Sequence, residues 1–456
     1  MMTISDYLNN SAEENVKKAL EAARANEEYH ALLNLTEERA LERAKKVDAG
    51  EISGKLAGVP FVVKDNYLAF GAPTTAAAKI LENFEAPLQA TAVEKLEAEG
   101  AICIGKANLD AFAHGGSTEN SAFGPTKNAH DQNKVAGGSS GGSAVAVALN
   151  VVPFALGSDT GGSIRQPASF NGVYGIKPTY GAVSRYGVVA MASSTDCMGC
   201  FANTAEDVET VLAIMAGHDS RDMTTLPDFF EPSKLDRKLK VGLIKELMTD
   251  DVDPEVLARI HEYTTRLKQA GHVVEEVSLP IVKHTLAMYY IIVPAEVSSN
   301  LARYDGVRYG RRAEGVKTLA ELYGRSRDEG FMTENKRRIM IGSYVLSSGF
   351  FDAYYQQAQK ARTLLIDQFN TLFAEYDILV SPTAPTPAFG LNENTDDPIK
   401  MYLADAMTVP ASLAGIPGLN VPAGKTDGGL PVGVQLMAAS KDDALLLALA
   451  KEMETE

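Results

Sequence analysis

Residues 151–165 read VVPFALGSDTGGSIR. The run from Val151 to Leu156 is apolar and β-branched, the composition of a buried strand, and it feeds directly into consecutive small residues. There the N–H groups of neighbouring residues can all point one way, and Ser163 follows at once. A strand that delivers a serine beside such a nest is how an oxyanion hole is built next to a nucleophile. A structural glycine turn explains the same letters, and this segment alone does not choose between them.

Similar apolar strands stand on either side. Val59–Lys64 and Ala101–Gly105 flank a helix from about Thr91 to Glu99, one β-α-β step. Leu239–Lys245 and Val273–Leu279 flank a helix from Pro254 to Ala270, a second step. Strand signals return at Asp377–Ser381 and Pro431–Leu436, and a helix closes the chain from Asp442. Such alternation with near-continuous apolar strands predicts an α/β fold around a covered, largely parallel or mixed central sheet. Residues 1–50, rich in Ala, Leu, Glu and Lys, read as a helical arm, and the pattern from about Phe331 to Phe373 as one long helical stretch. Arg221 to Lys238 reads as a surface connection.

At 456 residues the chain can bury a large core, and its 45% hydrophobic and 22% charged residues exclude a disordered, collagenous or coiled-coil chain. A net charge of −16 argues against a broad nucleic-acid footprint on this chain itself. Three cysteines are too few for a disulfide framework. No apolar run approaches the roughly 20 residues of a membrane-spanning helix, and the opening segment lacks the pattern of a signal or transit peptide. The expectation is a cytoplasmic protein with no membrane partner.

Between residues 115 and 187, Gly, Ser, Thr and Asn displace charge, interleaved with core-like segments, which favours a site over a linker. Gly137-Gly-Ser139-Ser140-Gly-Gly-Ser143 satisfies the nucleophile-elbow spacing at two serines, but no strand precedes it. Lys64 ends its apolar strand. It is either a strand-edge surface lysine or, if held in an apolar serine-rich pocket, a neutral amine able to serve as the general base that a serine nucleophile requires. Cys197 and Cys200 have the C-x-x-C spacing of metal and redox sites, yet only Cys103 remains elsewhere, so buried small hydrophobic residues are the favoured reading. The glycine-rich loops lack the Gly-Lys-Ser/Thr of a phosphate-binding loop.

The order of Lys64, then GGSSGGS around Ser139, then DTGGSIR around Ser163, within a run from Gly137 to Pro178, resembles the amidase signature family. The resemblance implies the amidase-signature fold, a mixed central sheet covered by helices on both faces. It also implies one domain over 1–456: the arm at 1–50, a signature core at 51–200, and the remainder of the sheet with substrate-pocket helices at 201–456. Its triad would be Lys64 as base, Ser139 as bridging serine on a cis peptide and Ser163 as nucleophile, with N–H groups near Thr160, Gly161 and Gly162 as the oxyanion hole.

The blocks GGSTENSAFGPTKN, ARYDGVRYG, KRRIMIGSYVLSSGFFDAYYQQAQKAR and VPASLAGIPGLNVPAG resemble one branch of that family, the glutaminase subunits of tRNA-dependent amidotransferases. This resemblance implies hydrolysis of glutamine through an acyl-enzyme, with ammonia passed on to convert Glu-tRNA(Gln) to Gln-tRNA(Gln). It implies two further subunits of the amidotransferase, B and C, with tRNA contact mainly through the B subunit. It also implies no cofactor on this chain, with ATP and Mg²⁺ used by the B subunit. A free amino acid needs one fixed cation and one fixed anion. From the matched blocks these are Arg338 for the carboxylate, with Arg337 as its substitute, and Asp405 for the ammonium, with Tyr289 lining the pocket. The alternative is a standalone serine amidase with another amide substrate.

Overall fold

The computed structural model describes residues 1–227, 230–395 and 397–455. These build eleven strands: β1 Leu32–Leu35, β2 Pro60–Lys64, β3 Ile102–Ala107, β4 Phe154–Asp159, β5 Tyr174–Lys177, β6 Cys197–Ala202, β7 Lys240–Ile244, β8 Val273–Val277, β9 Ile378–Pro382, β10 Gly418–Lys425 and β11 Pro431–Met437. All eleven join one sheet in the order β1-β3-β2-β4-β6-β5-β10-β11-β9-β7-β8.

The sheet is mixed, as the sequence pattern predicts. β3, β2 and β4 run parallel, and so do β9, β7 and β8. The strands between them pair antiparallel. In β2, β3, β4, β6, β9 and β11 every residue is buried. Because successive side chains point to opposite faces, this requires cover on both. The Phe61 and Phe154 rings stack across β2 and β4 with centroids 5.2 Å apart. Each such fully buried side chain contributes about 1.5–3 kcal/mol. β8 at the edge, mostly exposed, contributes far less.

Three departures from the sequence reading have physical causes. The N-terminal arm is helical at Ala12–Ala25 and Glu37–Asp48, but Leu32–Leu35 between them adds an antiparallel edge strand to β3. The stretch from 331 to 373 is interrupted: one helix ends at Val345, Gly349 adopts φ +85°, and a second helix starts at Gln356 after a π-helical turn. β5, β6 and β10 lie in glycine-bearing segments without an apolar alternation to announce them. Within the predicted surface connection, residues 228 and 229 lie outside the described residues.

Candidate active site

Lys64 is the last residue of β2, and Ser158 and Asp159 end the neighbouring parallel strand β4. With Val63 opposite Leu156, both chains leave the sheet on the same side, at the carboxyl ends of parallel strands where α/β sheets form their crevices. Lys64 is wholly buried. Its Nζ donates to Ser139 Oγ at 2.7 Å, to Ser158 Oγ at 2.9 Å and to the Ser158 carbonyl at 3.3 Å. Burial brings its pKa down to about 7, against the opposing pull of Asp110, Asp159 and Asp196. Near neutrality much of the amine is therefore unprotonated, and its lone pair can then accept the Ser139 proton.

Ser139 stands on a loop just before the buried helix Gly141–Ala148, and the Gly138–Ser139 peptide is cis. Its carbonyl accepts the Asp110 N–H at 3.2 Å, and the next N–H, of Ser140, donates to the Ser163 carbonyl at 3.2 Å. The loop is thereby tied to the segment that carries Ser163. Gln166 adds a second tie, accepting the Gly138 N–H at 2.9 Å and donating to the Gly116 carbonyl at 2.8 Å.

Ser163 lies in the turn between β4 and the helix Arg165–Asn171. Asp159 fixes that turn. It accepts the Ile164 N–H at 3.1 Å and two donors of Arg165, Nε at 3.0 Å and Nη2 at 2.8 Å. Arg165 spends its other N–H groups on Thr408 O, Gln435 Oε1 and Ser412 Oγ. Thr160 donates its hydroxyl to Asp196. Among the described residues the N–H groups of Gly161, Gly162 and Ser163 meet no acceptor, the state expected of oxyanion donors. Gly162 sits at φ +144°, and a Cβ there would fall 2.1 Å from Thr408 Oγ1. A Cβ on Gly161 would fall 2.6 Å from the Tyr289 hydroxyl, so both positions require glycine.

A cleft of about 190 Å³ opens beside this loop, walled by the 110–120 segment, the helix Thr333–Val345, Asn394, Thr395 and residues 398–405. Arg338 lies in its wall, 3% exposed. Glu334 takes its Nε–H at 2.8 Å, and Tyr290 and Tyr402, stacked 3.8 Å apart, pack near the guanidinium. The two terminal nitrogens of Arg338 donate to no group among the described residues. Arg337 also reaches the cleft and, like Arg338, pairs with Glu334, but its side chain is far more exposed. Asp405 accepts the Tyr290 hydroxyl at 3.3 Å. Burial lifts its pKa to about 7, Arg338 pulling the other way.

Tyr289 requires a correction. Its neighbour Tyr290 lines the cleft, while Tyr289 packs against Gly161. Adjacent residues of the helix Thr285–Asn300 diverge by about 100°, so only one of the pair faces each neighbour. Sequence reasoning missed Ser158, Glu334, Tyr402 and His114, none of which stands in a motif of its own. Cys197 and Cys200 lie buried in β6 at the middle of the sheet, and among the described residues no cluster of His, Cys, Asp and Glu could hold a metal ion.

A lysine and two serines gathered at the carboxyl ends of parallel strands, next to free backbone N–H groups, make the equipment of a serine amidohydrolase. The chain belongs to the amidase family, whose model matches residues 14–447. It is 51% identical to the A subunit of glutamyl-tRNA(Gln) amidotransferase from Gloeobacter violaceus, covering 98% of this chain and 94% of that one. To the protein of the same name from Carboxydothermus hydrogenoformans it is 52% identical, covering 93% and 89%. Among solved structures it is similar to the A subunit of the Thermotoga maritima glutamyl-tRNA(Gln) amidotransferase, with a TM-score of 0.83, 37% identity and coverage of 100% and 94%. It is also similar to the peptide amidase of Stenotrophomonas maltophilia, with a TM-score of 0.81, 28% identity and coverage of 98% and 93%.

Proposed function

We propose that this chain is the glutaminase subunit of a tRNA-dependent amidotransferase, hydrolysing glutamine and supplying the ammonia that converts Glu-tRNA(Gln) to Gln-tRNA(Gln). The observation that carries this reading is the cleft. It offers one cation with both terminal nitrogens unspent, Arg338, and one buried carboxylate, Asp405, beside the lysine–serine set, and free glutamine presents the complementary carboxylate and ammonium. The identity of about half of all positions to proteins of that name supports the same conclusion.

In the reaction, Ser163 Oγ attacks the side-chain amide carbon while its proton passes through Ser139 to Lys64. The N–H groups near Thr160, Gly161 and Gly162 hold the resulting oxyanion. Collapse of the tetrahedral intermediate breaks the C–N bond, and the same relay returns a proton to the departing ammonia. Water, deprotonated by that relay, then releases glutamate from the acyl-enzyme. The B and C subunits complete the assembly, with tRNA, ATP and Mg²⁺ handled by the B subunit and glutamine hydrolysed on this chain.

The test is ammonia release from glutamine, measured on the chain with and without the co-expressed B and C subunits. Partners are expected to raise the turnover, Ser163→Ala to abolish it, and Arg338→Ala to depress glutamine turnover far more than that of a simple amide. Hydrolysis of simple amides with glutamine ignored in every combination overturns the reading in favour of a standalone amidase.

A further inference from the structure

His114 is wholly buried, yet it forms part of the cleft wall with Arg338 and Asp405. Its ring is fixed by Asn335, which sits near the start of the Thr333–Val345 helix. The Met332 N–H donates to Asn335 Oδ1 at 3.1 Å, which identifies the amide oxygen. Asn335 Nδ2 must then be the atom that donates to the Ala111 carbonyl at 2.8 Å and faces His114 Nδ1 at 2.7 Å. An amide nitrogen has hydrogens only, so Nδ1 has to accept, and the ring proton is confined to Nε2. Protonating the ring would set an N–H against an NH₂, and burial together with the Arg338 charge holds the His114 pKa well below the ordinary histidine value.

Among the described residues, Nε2 has no hydrogen-bond partner. Two other lining atoms share that condition, Glu119 Oε2 and Asn394 Oδ1, and both are acceptors in character. His114 Nε2–H is thus a buried donor left without an acceptor in a cleft that already holds a guanidinium with two unspent nitrogens. An unsatisfied buried donor is a cost to the folded chain that a ligand's oxygen would recover.

Building on the glutaminase reading, we propose that His114 is a substrate-binding residue whose Nε2–H donates to the α-carboxylate of glutamine, sharing that group with Arg338. The histidine contributes direction without charge. Arg338 supplies the counter-charge, and the neutral ring selects a carboxylate whose second oxygen lies on its line. Asn335 is the positioning residue, acting through the tautomer it enforces.

The experiment uses the assembled amidotransferase and two amides, glutamine and 4-aminobutanamide, which keeps the amine and the reacting amide but lacks the α-carboxylate. His114→Leu is expected to raise KM for glutamine by roughly 10- to 100-fold, the range for a hydrogen bond to a charged group, with kcat within about twofold. Turnover of 4-aminobutanamide should stay unchanged, which also reports that the variant folds. His114→Gln, whose amide nitrogen can stand near the Nε2 position, should recover most of the loss. An unchanged KM in His114→Leu, or equal losses on both amides that His114→Gln does not rescue, overturns the assignment. Wild-type enzyme that hydrolyses 4-aminobutanamide but not glutamine sinks the glutaminase reading itself, and this assignment with it.

Discussion

At the end of the sheet, Lys64, Ser158 and Asp159 leave two adjacent parallel strands, and all five N–H donors of Arg165 are engaged by Asp159, Thr408, Gln435 and Ser412. In the neighbouring cleft, Arg338 stands on the Thr333–Val345 helix and Asp405 in the turn after Leu403, far apart in the chain, and Arg338 keeps two nitrogens in reserve. The side chains that hold the chemistry form a network that satisfies itself, leaving only the oxyanion N–H groups open, whereas on the recognition surface the side chains themselves are left incomplete until a ligand arrives. Pre-organised charge lowers a barrier only if it cannot relax, while binding residues gain affinity from groups whose hydrogen bonds remain to be made.

This contrast can be broken at three depths. Lys64→Met removes the proton acceptor while leaving a buried chain of similar size, and kcat for glutamine should fall by roughly 10⁴-fold or more, with KM little changed. Steady-state ammonia assays decide it. A loss confined to KM would move Lys64 out of the chemistry.

Asp159→Ala leaves the Arg165 guanidinium buried and unpaired, and should destabilise the fold by about 3–5 kcal/mol, read as a lower midpoint in denaturant unfolding. A drop below about 1 kcal/mol would show that the network is looser than its geometry.

The smallest effect belongs to the cleft. Asp405 titrates at about 7 and binds an ammonium only when ionised, so KM for glutamine should fall as pH rises through 7 and level off above it. Asp405→Asn should raise KM by roughly tenfold and flatten that pH profile. A profile that survives the substitution assigns the titration to another group.

The same division decided what could be read from the sequence. The strands around the serine-bearing loops were legible because each is a short apolar run, whereas the glycine-rich letters around Ser139 and Ser163 fit a structural turn as well, and the roles of both serines came from the resemblance. Even so, the strand expected at Val151–Leu156 runs from Phe154 to Asp159, which puts Ser158 in the sheet rather than in the turn. Arg338 and Asp405 could be named only through resemblance, since each by itself is one charge on a helix or turn. Tyr289 and Tyr290 differ by a single helical step, and no local pattern says which one faces the cleft. His114 carries no signal in sequence at all: its significance comes from Asn335, more than two hundred residues away.

One amide side chain has a consequence for how such a protein can change over evolutionary time. Gln166 holds the Gly138 N–H with its oxygen and the Gly116 carbonyl with its nitrogen. Side chains along residues 114–120 that face the cleft, such as Ser117 and Glu119, can be exchanged for others that suit a new amide, whereas Gly115, at φ +153°, and Thr118, whose hydroxyl joins the Gly137 carbonyl to the Gly141 N–H, hold the backbone. The length of that loop is not free to vary, since an inserted or deleted residue would drag Ser139 away from Lys64. Lineages that acquire new substrates on this scaffold are therefore expected to vary the lettering of the loop and keep its length.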